Sequence, residues 1–121
     1  MNFKSLVLGI ALSATATLAI AAGPVVSDTG MLVDANGMTL YIFDKDTAGV
    51  STCYDGCADS WPAYVADAGA SAAGAFTLVE RNDGLAQWAV DGMPLYYWAG
   101  DQAPGDATGD GVGGVWHVVK P

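Results

Sequence analysis

The chain has little of the chemistry that most enzymes and metal sites use. Its 121 residues include one His, two Cys and four basic residues, against 13 acidic ones. The sequence contains no Gly-rich phosphate-binding pattern, no His-Glu-x-x-His zinc motif and no nucleophile elbow around a serine. Because activated nucleophiles are so scarce, we expect a protein that is not an enzyme.

Long apolar runs are absent after the N terminus. One positive charge at Lys4 precedes an apolar run over residues 6–20, and Ala19-Ile20-Ala21 supplies the small residues that a signal peptidase reads. Polar residues interrupt this run, whereas a membrane span needs about 20 apolar residues. We expect residues 1–22 to be a signal peptide and residues 23–121 to be one domain, periplasmic or secreted.

Basic residues are scarcer still without this leader. Lys45, Arg81 and Lys120 remain, and removal of Lys4 changes the formal charge from −9 to −10. Such a surface repels phosphate backbones and anionic lipid head groups, so nucleic acid and membranes are not expected partners. The charge is typical of a soluble exported protein, and it also suits cations or basic proteins.

The sequence does contain an internal repeat. Residues 37–46 reappear as residues 92–101, an offset of 55 from Gly37 to Gly92. The same offset relates Trp61 to Trp116, which predicts a register without a gap. A repeat of this kind indicates two similar supersecondary units that share one core. We place unit one at about residues 28–66 and unit two at about residues 75–121.

Strand signals dominate both units. Each unit is predicted to begin with a β-hairpin, closed by Asn36-Gly37 in unit one and by Asp91-Gly92 in unit two. Further strands are expected at residues 76–80 and 115–119, and one helical turn at residues 57–60. The sequence therefore predicts an all-β fold, a small single domain of two pseudo-symmetric hairpin-containing repeats that is barrel-like or sandwich-like.

Alternation of side chains predicts how the hairpins pack. Within the first hairpin, Leu40 and Ile42 share one face of the strand, while Tyr41 and Phe43 share the other. Both faces are apolar enough to be partly covered. The tryptophans are expected mostly in the core, because a domain this small must bury large side chains.

The two cysteines favour a structural disulfide. Cys53 and Cys57 are close together in an expected oxidising compartment. Their three-residue spacing differs from the Cys-x-x-Cys of redox motifs, and only one His is available to complete a metal site. A disulfide would hold the turn at residues 54–56, with a redox or metal-binding dithiol as the alternative.

Two copies of the pattern Tyr-x-aromatic-x-x-Asp give the chain a family resemblance. The pattern residues are Tyr41, Phe43, Asp46, Tyr96, Trp98 and Asp101. Together with the Cys pair, residues 81–84 and residues 116–119, they resemble a bacterial secreted-repeat family described as predicted lipoproteins. The resemblance implies export, the repeat and the Cys pair, and it implies no biochemical function. Many members carry a lipid on a Cys after the signal sequence, which this chain lacks, so no membrane anchor is expected.

The repeated aspartates admit two interpretations. Asp46 and Asp101 follow strand ends, where a carboxylate can accept backbone N–H groups of the next loop, and the motif Tyr can bond elsewhere in the same turn. Alternatively, the two carboxylates face one site and bind a cation or perform acid–base chemistry.

Metal hypotheses use residues outside the pattern. Met38 and Met93 are equivalent by the repeat, and with His117 they would offer copper thioether and imidazole ligands. Asp106 and Asp110 lie in a Gly-rich loop of the oxygen-rich kind that calcium prefers, although EF-hand spacing is absent. No cofactor is expected, with copper or calcium as the alternative.

The expected function is that of an exported non-catalytic envelope module. We expect a monomer that binds an envelope protein or a small ligand of unidentified nature. The alternative is a periplasmic metal-binding or redox accessory protein.

Overall fold

The computed structural model describes residues 23–121. The expected signal peptide, residues 1–22, lies outside the described residues and stays a prediction. Seven short strands make up most of the regular structure of the described part: β1 Val25–Val26, β2 Leu32–Val33, β3 Tyr41–Phe43, β4 Phe76–Glu80, β5 Ala86–Val90, β6 Met93–Pro94 and β7 Trp116–Val118. Helix α1, Gly56–Ser60, follows β3, and a 3-10 turn at Val112–Gly114 precedes β7.

Within residues 23–121 the strands form three small antiparallel sheets and no closed barrel. The sheets pair β1 with β2, β3 with β7, and β4 with β5 and then β6. The last strand therefore returns to unit one, with Phe43 of β3 opposite Trp116 of β7. The predicted all-β class with two repeats is confirmed, and the predicted strand at 76–80 and helical turn near 57–60 are present.

The second hairpin turn follows its sequence signal, but the first is not the predicted Asn36-Gly37 turn. The Gly37 amide donates to the Asp34 carbonyl at 3.0 Å, and of the predicted pair only Gly37 has a positive φ, 88°. In unit two, Asp91 and Gly92 have φ values of 51° and 85°, the left-handed conformation that a tight two-residue turn between β5 and β6 requires. In unit one, the Asp34 carboxylate accepts the amides of Asn36 and Met38, both at 2.9 Å. This Asx-type contact closes the first hairpin from inside.

Alternation along the hairpin strands divides the interior into two cores. The leucine core contains Leu32, Leu40, Tyr64, Ala66, Trp88, Val90 and Leu95. The aromatic core contains Tyr41, Phe43, Cys53, Trp61, Tyr96 and Trp116, with Trp98 packed against it. Leu40 and Tyr41 therefore face opposite cores, as the period-2 pattern predicts.

The two motif tyrosines join the units at the centre of the fold. The Tyr41 amide donates to the Tyr96 carbonyl at 2.8 Å, and the Tyr96 amide donates to the Tyr41 carbonyl at 2.9 Å. Two residues that exchange both bonds form a hydrogen-bonded antiparallel pair. This pair places both copies of the motif beside each other.

Candidate functional site

The two copies of the motif exchange side-chain hydrogen bonds. The Tyr41 hydroxyl donates to Asp101 Oδ2 at 2.6 Å, and the Tyr96 hydroxyl donates to Asp46 Oδ2 at 2.6 Å. All four side chains are buried. The expectation that each tyrosine bonds within its own turn is therefore wrong, because each one binds the aspartate of the other repeat.

The second oxygen of each aspartate organises the following loop. Asp46 Oδ1 accepts the Thr52 amide at 2.8 Å and the Thr52 hydroxyl at 2.7 Å. Asp101 Oδ1 accepts the Thr108 amide at 2.9 Å and the Thr108 hydroxyl at 2.7 Å. Both carboxylates are occupied by donors of the protein itself, as the loop-capping interpretation expects. This geometry gives the paired-carboxylate interpretation no support.

The loops after the two aspartates differ in register. Thr52 and Thr108 make the same contacts but lie 56 residues apart, whereas Trp61 and Trp116 lie 55 apart. The second loop therefore has one residue more before its Thr and one fewer after it. The predicted gapless register is wrong in this segment, because two opposite length changes restore the constant offset. By this alignment Gly109 stands where unit one has Cys53.

Four aromatic rings form a continuous stack through the aromatic core. We call Phe43, Trp116, Trp61 and Trp98, in this spatial order, the aromatic stack. Successive ring centroids are 4.1, 3.8 and 4.2 Å apart. The central pair, Trp61 and Trp116, is nearly parallel, with an interplanar angle of 2°. Equivalent residues of the two repeats thus lie face to face, which buries their large apolar area.

Each motif tyrosine meets this stack edge-on. The Tyr41 ring lies 5.4 Å from Trp61 at 80°, and the Tyr96 ring lies 5.2 Å from Trp116 at 90°. This T-shaped geometry places the positive ring edge of one partner on the negative face of the other. Tyrosine, tryptophan and aspartate therefore form one pseudo-symmetric cluster.

Burial makes the motif phenols harder to ionise. Burial first, and then the hydrogen bonds to Asp101 and Asp46, raise the pKa of Tyr41 and of Tyr96 well above the usual value near 10. Tyr97, which donates to Asp34 Oδ2 at 2.7 Å, has its pKa raised by the same causes. At neutral pH these phenols act only as neutral groups that donate to carboxylates.

The disulfide loop breaks the symmetry between the repeats. Cys53 and Cys57 are bonded, with their Cα atoms 5.2 Å apart, which confirms the predicted disulfide. The bond closes a loop in which Asp55 has φ 55°, a conformation that is strained for a residue with a side chain. In the matching loop of unit two, Gly109 takes the position of Cys53. Its amide donates to the Tyr41 hydroxyl at 3.1 Å.

Arg81 is a buried cation that joins the disulfide loop to the β4–β5 hairpin. Its guanidinium donates to Gln87 Oε1 at 2.8 Å, to Ser51 Oγ at 3.2 Å and to the Cys53 carbonyl at 3.4 Å. Its central carbon lies 4.4 Å from the ring centroid of Tyr54. Ser51 Oγ in turn lies 2.6 Å from the Tyr96 hydroxyl, so a chain of hydrogen bonds links Arg81 to the motif. Sequence reasoning named Arg81 as one of three basic residues and within the resemblance, but it did not predict a buried cation.

A family model decides the membership of the chain. The model is described as a secreted repeat of unknown function, and it matches residues 23–64 and 77–120, once for each repeat. The chain belongs to this secreted-repeat family. Comparisons with curated proteins and with solved structures gave no match. Membership places the chain among exported proteins.

The geometry explains why the secreted repeat occurs twice in this chain. Each matched segment contributes one motif Tyr, two rings of the aromatic stack and one motif Asp. A single repeat would bury a phenol and a carboxylate without each other, which is costly. No helix among residues 23–121 is long and apolar enough to span a bilayer.

The copper candidates of this secreted-repeat protein lie on separate elements. His117 is in β7, and its Nε2 lies 2.8 Å from Asp44 Oδ2. Met93 is in β6, paired with Val90, and Met38 is in the first hairpin turn. Copper binding stays a prediction that no observed ligand set supports.

The calcium candidates cap loops. Asp106 Oδ2 accepts the amides of Gln102 and Ala103 at 2.9 and 3.0 Å, and Asp110 Oδ1 accepts the Val118 amide at 3.1 Å. In the described part of the chain, no group of three or more His, Cys, Asp or Glu side chains is arranged to hold a metal. Calcium binding likewise stays a prediction.

Proposed function

We propose that this chain is a non-catalytic exported module that binds a basic partner protein at the cell envelope through its acidic outer surface. The observation that carries the proposal is that the polar groups inside the fold bond to one another and most acidic groups lie on the surface. The motif residues bond to one another inside, while most of the acidic charge lies outside.

The interior supports a scaffold better than a reaction site. Small-molecule sites are usually concave and keep a few polar groups turned toward the ligand. No such pocket opens in residues 23–121. Every buried side-chain polar atom of the described residues has a hydrogen-bond partner. A partner that binds to the outer surface fits this closed interior better than an enclosed ligand does.

The outer surface is strongly acidic. Nine carboxylates are exposed among the described residues: Asp28, Asp44, Asp55, Asp59, Asp67, Glu80, Asp83, Asp91 and Asp110. The exposed lysines of the same part are Lys45 and Lys120, while Arg81 is buried and its Nε donates to Asp83 Oδ2 at 3.1 Å. Such a field attracts a basic protein and speeds its association, and the attraction weakens as salt screens it.

Photo-crosslinking in the native compartment tests the proposal. A photoreactive residue replaces exposed Ser60, beside Asp59, or exposed Ala68, beside Asp67, in the full chain. We expect a discrete crosslinked protein rich in Lys and Arg, whose yield falls in Asp59→Asn or Asp67→Asn and at high salt. The matched control, Lys45→Gln, should preserve or raise the yield. Absence of a crosslinked protein at both positions, or a yield insensitive to charge and salt, contradicts the proposal.

A further inference from the structure

The aromatic stack connects a partly exposed ring to two buried tyrosine–carboxylate pairs. Trp98, at one end of the stack, is only partly buried, whereas Trp61 and Trp116 are 5% and 4% exposed. From Trp98 inward, each ring faces the next at 4.2, 3.8 and 4.1 Å. The π orbitals of rings at this distance overlap weakly, so an electron can tunnel from one ring to the next over a very short distance.

Tyr41 and Tyr96 lie where an electron path through these rings can end. Tyr41 touches Trp61, the second ring from Trp98, and Tyr96 touches Trp116, the third. A phenol that loses an electron becomes a very strong acid and must release its proton at once. Each of these phenols already donates to a carboxylate at 2.6 Å. Charge-assisted contacts of this length are short and strong, and they place the acceptor in position for the proton.

Each carboxylate has one oxygen in position to accept that proton. Asp101 and Asp46 each use one oxygen for a Thr and the other for a Tyr, so the proton has a defined destination on Oδ2. The phenols are neutral at neutral pH, as any tyrosine with a pKa near 10 is, and burial raises the pKa of both further. Oxidation therefore couples loss of the electron to transfer of the proton.

We propose that the three tryptophans of the aromatic stack form a one-electron relay that moves oxidation from Trp98 to Tyr41 and Tyr96. A one-electron oxidant that meets Trp98 takes one electron and is reduced, which leaves the Trp98 radical cation. Trp61 then reduces the Trp98 radical cation by one electron, and Tyr41 reduces the oxidised Trp61. The Tyr41 proton moves to Asp101 at the same time. The products are the reduced oxidant, a neutral tyrosyl radical and a neutral carboxylic acid.

The path to Tyr96 transfers one electron and one proton in the same way, and it passes through one more tryptophan. Trp116 reduces the oxidised Trp61 by one electron, and Tyr96 then reduces the oxidised Trp116. The Tyr96 proton moves to Asp46. The inference does not depend on the proposed binding of a basic partner, because any one-electron oxidant in solution can start the relay.

Flash-quench oxidation of the full chain tests the relay. A photoexcited ruthenium polypyridyl complex with a sacrificial electron acceptor supplies the oxidant, and transient absorption and electron paramagnetic resonance follow the radicals. In the wild type we expect an indole radical that decays as a neutral tyrosyl radical grows. In Tyr41→Phe/Tyr96→Phe the tyrosyl signal is lost and the indole radical lives longer.

A matched control separates the relay from the general presence of buried tyrosine. Tyr97 also donates to a carboxylate, Asp34, at 2.7 Å, but it packs against the leucine core. Tyr97→Phe should leave the tyrosyl yield unchanged. If the double variant does not fold, Trp98→Leu tests the entry point and should lower the yield. A wild-type tyrosyl yield in a folded double variant or in Trp98→Leu, or a yield lost in Tyr97→Phe, overturns the proposal.

Discussion

The Tyr41 phenol and the Asp101 carboxylate lie 2.6 Å apart, although 60 residues separate them in the chain. Tyr96 and Asp46 make the same contact in the opposite direction. Each repeat therefore supplies the donor for the other repeat's acceptor. Since an unsatisfied buried polar group costs about 1–3 kcal/mol, neither repeat is complete alone.

The threonine after each aspartate should contribute to stability through its hydroxyl. Thr52→Val keeps the shape and the amide donor but removes the hydroxyl that donates to Asp46 at 2.7 Å. We expect a loss of about 1 kcal/mol in the free energy of unfolding, measured by urea denaturation, and the same for Thr108→Val. Thr52→Ser, which keeps the hydroxyl, is the control. Equal stability of Thr52→Val and wild type would contradict the loop-capping role.

Gly109 should tolerate no side chain. A Cβ at this position would lie 2.9 Å from atoms of both Trp61 and Trp98. Gly109→Ala should cost about 1–3 kcal/mol as overpacking forces the stack apart, with a change in tryptophan fluorescence. Gly56→Ala is the control, because a Cβ there meets nothing within 4 Å. If both variants unfold at the same urea concentration as the wild type, the packing account of Gly109 is wrong.

Alkaline pH should destabilise the fold through its buried phenols. Burial raises the pKa of Tyr41, Tyr96 and Tyr97 in the folded state above the unfolded value near 10. Their contribution to stability is therefore complete below about pH 10 and is lost as the pH rises toward the folded-state pKa. Urea denaturation at a series of alkaline pH values should show this decline. Tyr97→Phe should make the decline shallower, and an unchanged slope would argue against the assignment.

Loss of the disulfide should weaken the fold without abolishing it. The two cysteines are only four positions apart, so the chain-entropy model gives about 2 kcal/mol. Denaturation of Cys53→Ala/Cys57→Ala, compared with wild type in the absence of reductant, measures this loss. The folded wild type should show no reactive thiol, and two titratable thiols in protein from the exported fraction would refute the disulfide.

The sequence predicts those parts of the fold that depend on neighbouring residues. The Asp91-Gly92 turn, the separation of Leu40 from Tyr41 and the Cys53–Cys57 bond all follow from spacings of a few residues. The repeat itself is visible as a constant offset.

The exchange of partners between repeats is not predictable in this way. Both motif copies contain a Tyr and an Asp, so the local pattern is satisfied equally well by bonding within one turn. Only the Tyr41–Tyr96 backbone pair, formed in the folded chain, brings the copies close enough to exchange. The roles of Thr52 and Thr108 were missed for a related reason, because the one-residue shift between the loops hides their equivalence.

A double-mutant cycle on Tyr41 and Asp101 tests the exchange most directly. The free energies of unfolding of Tyr41→Phe, Asp101→Asn and the double variant give the coupling between the two side chains, and a second cycle on Tyr41 and Asp46 gives the coupling within one repeat. Direct contacts couple by about 0.5–3 kcal/mol, whereas side chains without shared partners are additive within about 0.5 kcal/mol. We predict strong coupling between Tyr41 and Asp101 and near-additivity between Tyr41 and Asp46. Coupling of Tyr41 to Asp46 with additivity toward Asp101 would contradict the account.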